Sequence, residues 1–299
     1  MKTHLDALKA LDPHTRATLR ARSDWAGLRH LGLYLLLIAA CSGWIMLAGP
    51  LWWLALLPQG ILLVFLFTLQ HECTHETPFA TPLLSRIAGH IIAVILFQPF
   101  NWFRYFHLAH HRYTNDPEKD PELLSGAKPD SWIEMIAYVS GWPTWRANIT
   151  TTCQNAIAPL RAPYLPARAL WRIKREARVM VAIYVCLALS LLWSSAVFWL
   201  WVCPALIAMP LLRIYLLAEH GRCPYVANML ENTRTTYTTR FVRFLAWNMP
   251  YHIEHHSEPN VPFHRLPALH QHLKADLITT SSGYVGFSKE YTAGFKTAR

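Results

Sequence analysis

Residues 30–71 read HLGLYLLLIAACSGWIMLAGPLWWLALLPQGILLVFLFTLQH, 42 positions without one Asp, Glu, Lys or Arg. A helix rises about 1.5 Å per residue and a bilayer's hydrocarbon core is about 30 Å thick, so about 20 apolar residues make one crossing. The stretch is long enough for two, and Ala48-Gly49-Pro50 near its middle supplies a turn. The reading predicts helices over 31–48 and 51–70. A second charge-free run, 179–212, extended through Arg213 to Leu217, predicts another pair that turns near Ser194-Ser195. Buried hairpins of a large soluble protein would carry a polar face at helical period. These carry none.

Composition agrees. Of 299 residues, 53% are hydrophobic and only 15% charged, against about 25% in ordinary soluble domains. Disorder is excluded, because so apolar a chain buries more surface than its ordering costs. The six cysteines show no CxxC pairing and do not make a disulfide framework. The net charge of +10 invites a nucleic-acid partner, but the placement of the charges argues against one. Six Lys and Arg lie in 1–29, twelve in 72–178 and nine in 218–299, leaving only Arg213 elsewhere. By the positive-inside tendency those three segments face the cytoplasm. Residues 1–29 open with charged, helix-like sequence (Lys2, Asp6, Lys9) and no signal-peptide core, so no cleavage or export is expected. The basic stretch 161–178 suits an anionic inner leaflet, and 88–100 is apolar but too short to span.

The expected fold is thus all-α: one multi-pass membrane domain over 1–299, with four transmembrane helices in two hairpins and a helical cytoplasmic cap. Its parts are a cytoplasmic segment 1–29, hairpin 31–70, cytoplasmic segment 71–178, hairpin 179–217 and cytoplasmic segment 218–299. Both termini are expected in the cytoplasm.

The histidines point to chemistry. Three clusters occur: His71-Glu-Cys-Thr-His75, His107-Leu-Ala-His110-His111 and His252-Ile-Glu-His255-His256. Residues at i, i+3 and i+4 share a helix face, so the first cluster aims two imidazoles one way and each of the others three. Imidazole is the commonest metal ligand, and eight so arranged exceed the need of one tetrahedral zinc and suit a two-metal centre. His71 and His220 each follow a predicted spanning helix, so all nine can converge at one depth. His4, His14, His30, His90, His264, His270 and His272 lack such spacing and read as solvated or structural.

Two helical hairpins, HxxxH after the second helix, HxxHH about thirty residues on and a late HxxHH resemble the membrane fatty acid desaturase family, over roughly 51–273. The flanking sequence resembles it too: His110-His111-Arg-Tyr-Thr-Asn-Asp116-Pro after the second cluster and Asn248-Met-Pro-Tyr-His252 before the third. The wording is nearest to a bacterial fatty-acid or dihydrorhizobitoxine desaturase-like branch. The resemblance implies a di-iron centre (two Fe ions) with dioxygen as cosubstrate, and as ligands His71, His75, His107, His110, His111, His252, His255 and His256. His220 matches an extra histidine of some members, in which an Asn stands four residues earlier; here that residue is Leu216. Asn248 reads either as a group behind the metal ligands or as a helix cap. Glu72, Glu219, Glu254, Asp116 and Asp120 are expected to accept the outer imidazole N–H, with turn and cap chemistry the alternative for the two aspartates. Arg234 reads as an anchor for a polar head group or as one half of a structural ion pair.

The implied reaction is O2-dependent oxidation of a fatty acyl or other lipid-like substrate drawn from the bilayer. Desaturation and hydroxylation differ only in the fate of the second hydrogen, so hydroxylases and ketolases with similar clusters stay open as alternatives. A zinc membrane hydrolase would need only three protein ligands. A metal transporter would place its histidines near mid-membrane. With neither a GxGxxG fingerprint nor an HPGG-type cytochrome b5 segment, electrons are expected from a separate ferredoxin or cytochrome b5 type donor with its reductase.

Overall fold

The computed structural model describes residues 2–158 and 160–295. Two short helices, α1 (His4–Lys9) and α2 (Pro13–Leu19), lead into the long α3 (Asp24–Leu47). Ala48 and Leu51 adopt left-handed backbone and reverse the chain into α4 (Leu56–Thr74). Then come α5 (Pro82–Leu96) and α6 (Phe100–Tyr113), bent 100° apart. The bend has local causes: Phe97 takes a positive φ, and Pro99, which has no N–H to give, starts the new helix. The Gln70 side chain of α4 clasps the Gln98 carbonyl at 3.0 Å.

The middle of the chain holds α7 (Pro121–Leu124), α8 (Trp132–Val139), α9 (Trp142–Ile157) and α10 (Leu170–Ser190). A turn at 191–195 leads through one π-helical segment into α11 (Cys203–His220). The last part is α12 (Met229–Asn232), α13 (Arg240–Leu245), α14 (His252–Ser257), α15 (Leu266–Leu273) and α16 (Gly283–Ala293). Two three-residue strands, β1 (Thr235–Tyr237) and β2 (Thr280–Ser282), pair in parallel.

Among the described residues three segments are long and apolar enough to cross a membrane: Pro13–Leu47, Trp52–Thr74 and Phe198–His220. A fourth arises only if the bent pair α5 and α6 counts as one span. The expected third crossing is different in kind. Its helix, α10, begins at Leu170, so its first half carries Arg172, Lys174, Arg175, Glu176 and Arg178 and only its second half is free of charge. Those charges have uses: Arg172 and Arg175 lie over the Trp171 ring, and Glu176 accepts the backbone N–H groups of Phe100 and Asn101 at 2.8 Å. A carboxylate there answers the positive end of the α6 dipole and fixes that helix.

The core joins α4 to α11. Gly60 lets their backbones approach closely, since a Cβ on it would stand 1.9 Å from the Pro204 carbonyl oxygen. The two hairpin turns lie together, with Ala48, Trp52, Ser194, Ser195 and Trp199 lining one cavity. The opposite ends of α4 and α11 carry histidines.

Candidate metal centre

The first cluster grows out of α4, which does not stop at Gln70 as expected but runs on through His71 to Thr74, with His75 as its cap. His220 is likewise the last residue of α11 rather than the first beyond it. Both helices deliver their histidines from their final turns. The second cluster lies on α6 and the third on α14, which Trp247 and Asn248, both left-handed, launch in its direction.

All nine histidines come together, in two groups. His71, His75, His107, His111 and His255 offer ligand nitrogens within 4.8 Å of one another, as do His110, His220 and His256. His252 joins the second, its Nε2 3.1 Å from that of His220. The spacing rule alone sends each HxxHH cluster one way, and the structure corrects this. Successive residues stand about 100° apart around a helix, so a His-His doublet straddles two directions. His111 and His255 serve the first group, while His110 and His256 serve the second. The His111 and His256 rings stack at 4.0 Å between them.

The nitrogens fit cations. His75 and His107 meet Nε2 to Nε2 at 2.9 Å, and His111–His255 and His110–His220 at 3.2 Å. Two nitrogens bound about 2.1 Å from one ion, at octahedral or tetrahedral angles, stand about 3.0–3.4 Å apart. Both His71 nitrogens and His256 Nε2 are buried without a hydrogen-bond partner, a cost that a bound cation removes. Most of the rings are held neutral, as ligation requires, while at His110 burial is outweighed by the Glu122 and Asp120 carboxylates, which raise the pKa. Burial, with Arg104 next, pushes His75 down to about 3. Burial first and neighbouring imidazoles second hold His252, His255 and His256 well below the usual range.

Three of the outer nitrogens are hydrogen-bonded. His110 Nδ1 meets Asp120 at 2.9 Å, His256 Nδ1 meets the Thr114 hydroxyl at 3.1 Å, and His220 Nδ1 meets the Asn232 carbonyl at 3.2 Å. Glu72 stands 3.5 Å from His255 Nδ1, and Glu219 3.4 Å from His252 Nδ1. The hydrogen-bonded partners Asp120, Thr114 and Asn232 fix tautomer and ring orientation, whereas His252 Nδ1 and His255 Nδ1 have a carboxylate near but no hydrogen bond.

Three expected residues do otherwise. Glu254 turns away, to His270 and the Thr235 hydroxyl, and so ties α14 to α15 and β1. Asp116 caps its own turn through the Glu118 N–H. Arg234 binds the Ala218 and Gly221 carbonyls at 2.7 and 2.8 Å and closes the end of α11, neither head-group anchor nor ion pair. Asn248 donates to the Phe263 carbonyl. Thr114 and Asn232 are not legible in the sequence, since nothing local marks a hydroxyl or carbonyl that meets a ring more than ten residues away. The remaining histidines are structural where buried: His30 stacks on Phe244 and Trp247, and His270 holds Glu254.

A cavity of about 370 Å³ opens onto His71, His107, His110 and His252, walled by Phe67, Leu96, Phe103, Met209 and Leu212 among others.

The sequence is similar to those of known proteins. The family model described as fatty acid desaturase matches residues 42–287. The chain is 27% identical to the dihydrorhizobitoxine desaturase of Bradyrhizobium elkanii over 248 residues, 71% of this chain and 65% of that protein. It is 33% identical to an sn-1 oleoyl-lipid 12-desaturase of Picosynechococcus sp. over 90 residues, 30% of this chain and 24% of that protein. It is 31% identical to an acyl-lipid omega-3 desaturase (cytochrome b5) of the endoplasmic reticulum of Arabidopsis thaliana over 86 residues, 29% of this chain and 19% of that protein. These last two matches span a quarter or less of the relatives' own length.

Proposed function

The chain belongs to the fatty acid desaturase family, and from that premise we propose that it is a membrane oxidoreductase that places a double bond in a fatty acyl or lipid-like chain, using two irons, dioxygen and an external electron donor. The observation that carries the reading is the division of nine imidazoles into two groups with facing nitrogens 2.9–3.2 Å apart. His71, His75, His107, His111 and His255 would hold one iron, and His110, His220, His252 and His256 the other. Two irons so held would activate dioxygen and break an unactivated C–H bond. The balance takes a –CH2–CH2– unit, one O2, two electrons and two protons to –CH=CH– and two waters.

The chain's own residues do the rest. Asp120 holds the outer edge of His110, so that its inner nitrogen keeps a lone pair toward the metal, and Glu72 and Glu219 stand 3.5 and 3.4 Å from the outer nitrogens of His255 and His252. Phe67, Phe103 and Leu96 give an alkyl chain an apolar wall beside the histidines, and position there decides which C–H bond reacts. In the membrane we assign four spans in two hairpins. The fourth is α10, whose basic first half reaches the headgroups while its apolar half crosses with α11. The histidines, the helical cap around them and both termini then face the cytoplasm, where electrons arrive. A net charge of +10 favours an acidic donor of ferredoxin or cytochrome b5 type with its reductase.

The test replaces His110 or His255 by Ala, one imidazole from each group. Elemental analysis should give two metals per chain in the wild type and fewer in both variants. Membrane insertion should persist, and O2-dependent product should vanish, while the exposed His272→Ala keeps activity. Loss of two hydrogens by mass marks desaturation, and gain of one oxygen marks hydroxylation. Product formed without O2, or surviving both substitutions, would overturn the proposal.

A further inference from the structure

Arg213 is the one basic residue outside the three hydrophilic segments. It lies inside the spanning segment Phe198–His220, where a charge is costly and is kept only against a partner or a cavity. It lines the same cavity as His71, His107, His110 and His252.

Its charge has no carboxylate in contact, although Glu122 across the cavity feels it at longer range. Three other ionic groups line that cavity: Lys128 pairs with Glu122 at 3.5 Å, and Glu219 stands 3.4 Å from His252 Nδ1. Among the described residues no carboxylate comes within 4 Å of the Arg213 guanidinium, and its Nε is buried without a hydrogen-bond partner. What holds it is an aromatic face: the guanidinium sits 4.0 Å from the Tyr138 ring centroid. Stacking of that kind fixes the plane of the fork and leaves its edge free. A guanidinium edge matches a carboxylate, with two parallel N–H···O bonds.

We propose that Arg213 is the anchor for a free carboxylate on the substrate, so that this site takes an amphiphilic acid rather than an acyl chain esterified in a lipid. This deepens the desaturase reading and rests on it. Seven residues separate Arg213 from His220, about 10 Å along α11. A carboxylate seated on the cation therefore leaves the apolar part of the molecule beside the Phe67 and Phe103 walls, directed at the histidines. An ester-linked chain has no charge to offer, and it would leave the guanidinium desolvated and unpaired at a cost that works against it.

The experiment measures binding without turnover, on full-length metal-loaded protein in detergent and without oxygen. The probes are hexadecanoate and its methyl ester, which share a chain and differ in charge; quenching of tryptophan fluorescence reads occupancy, since Trp102 lines the cavity. Wild type should bind the acid at least about tenfold more tightly than the ester, the value of one charge-assisted pair. Arg213→Met, which keeps the stem and removes the charge, should abolish the preference without lowering metal content. Arg213→Lys should restore part of it. Equal affinity for acid and ester in the wild type, or an undiminished preference in the Met variant, would overturn the anchor. Binding of the acid through Arg213 with no O2-dependent product would instead overturn the desaturase reading alone.

Discussion

Asp120 accepts from three donors at once: His110 Nδ1 at 2.9 Å, the Asn115 N–H at 2.8 Å and the Glu122 N–H at 2.9 Å. The backbone bonds pin the carboxylate, and the pinned carboxylate orients the ring. Removing a partner of this kind costs about 10–100-fold in metal affinity. Asp120→Ala should therefore weaken the group of His110, His220, His252 and His256 by that factor and spare the other five-histidine group. Dialysis against a graded chelator should show one metal of two leaving early, and loss of both together would mean that the groups are not independent. The ligand candidates are legible in the sequence, because i, i+3, i+4 spacing is a local property of a helix. Their carboxylate partners are not. Asp116 and Asp120 each precede a proline, and only the turn, with Asn115 left-handed, decides that the second folds back under His110. Glu254 sits within the third cluster yet points away, to His270.

At the scale of elements, the site depends on α4 and α11 arriving side by side, since one ends in His71 and His75 and the other in His220. Gly60 allows it. A side chain there would meet the Pro204 carbonyl at 1.9 Å, and backbone cannot move aside as a flexible side chain can. Gly60→Val should cost at least about 1–3 kcal/mol. A lower thermal midpoint should accompany reduced metal content in both groups, although the substitution is about three turns from His71. An unchanged midpoint would mean that the close approach is not needed. The missing charges announce these helices but misplace their ends. Charge-free runs mark hydrocarbon, not helix, so α4 continues through polar His71–Thr74 and α10 begins among arginines. Two interactions that no periodicity reveals account for the second case: Trp171 under Arg172 and Arg175, and Glu176 capping α6.

For the whole molecule, the proposed orientation makes a prediction in which structure and charge can be set against each other. The turns after α3 and α10 lie together, and the Trp52 and Trp199 rings meet at 5.2 Å; the histidines are at the other ends of α4 and α11. One side of the membrane should therefore reach both turns and no histidine cluster, and neither turn carries a basic residue to hold it in the cytoplasm. Single cysteines at Ala48 and Ser195, in a chain cleared of its exposed Cys186, should react with a membrane-impermeant thiol reagent from the non-cytoplasmic face alone. Native Cys153 on α9, exposed and in the segment between the hairpins, is the internal control and should react only from the cytoplasm. Because the two turns are neighbours, spin labels at the same two positions should also report a short mutual distance. If α10 did not cross, Ala48 and Ser195 would react from opposite faces, and no packing of the two turns in one membrane-embedded chain could survive that result.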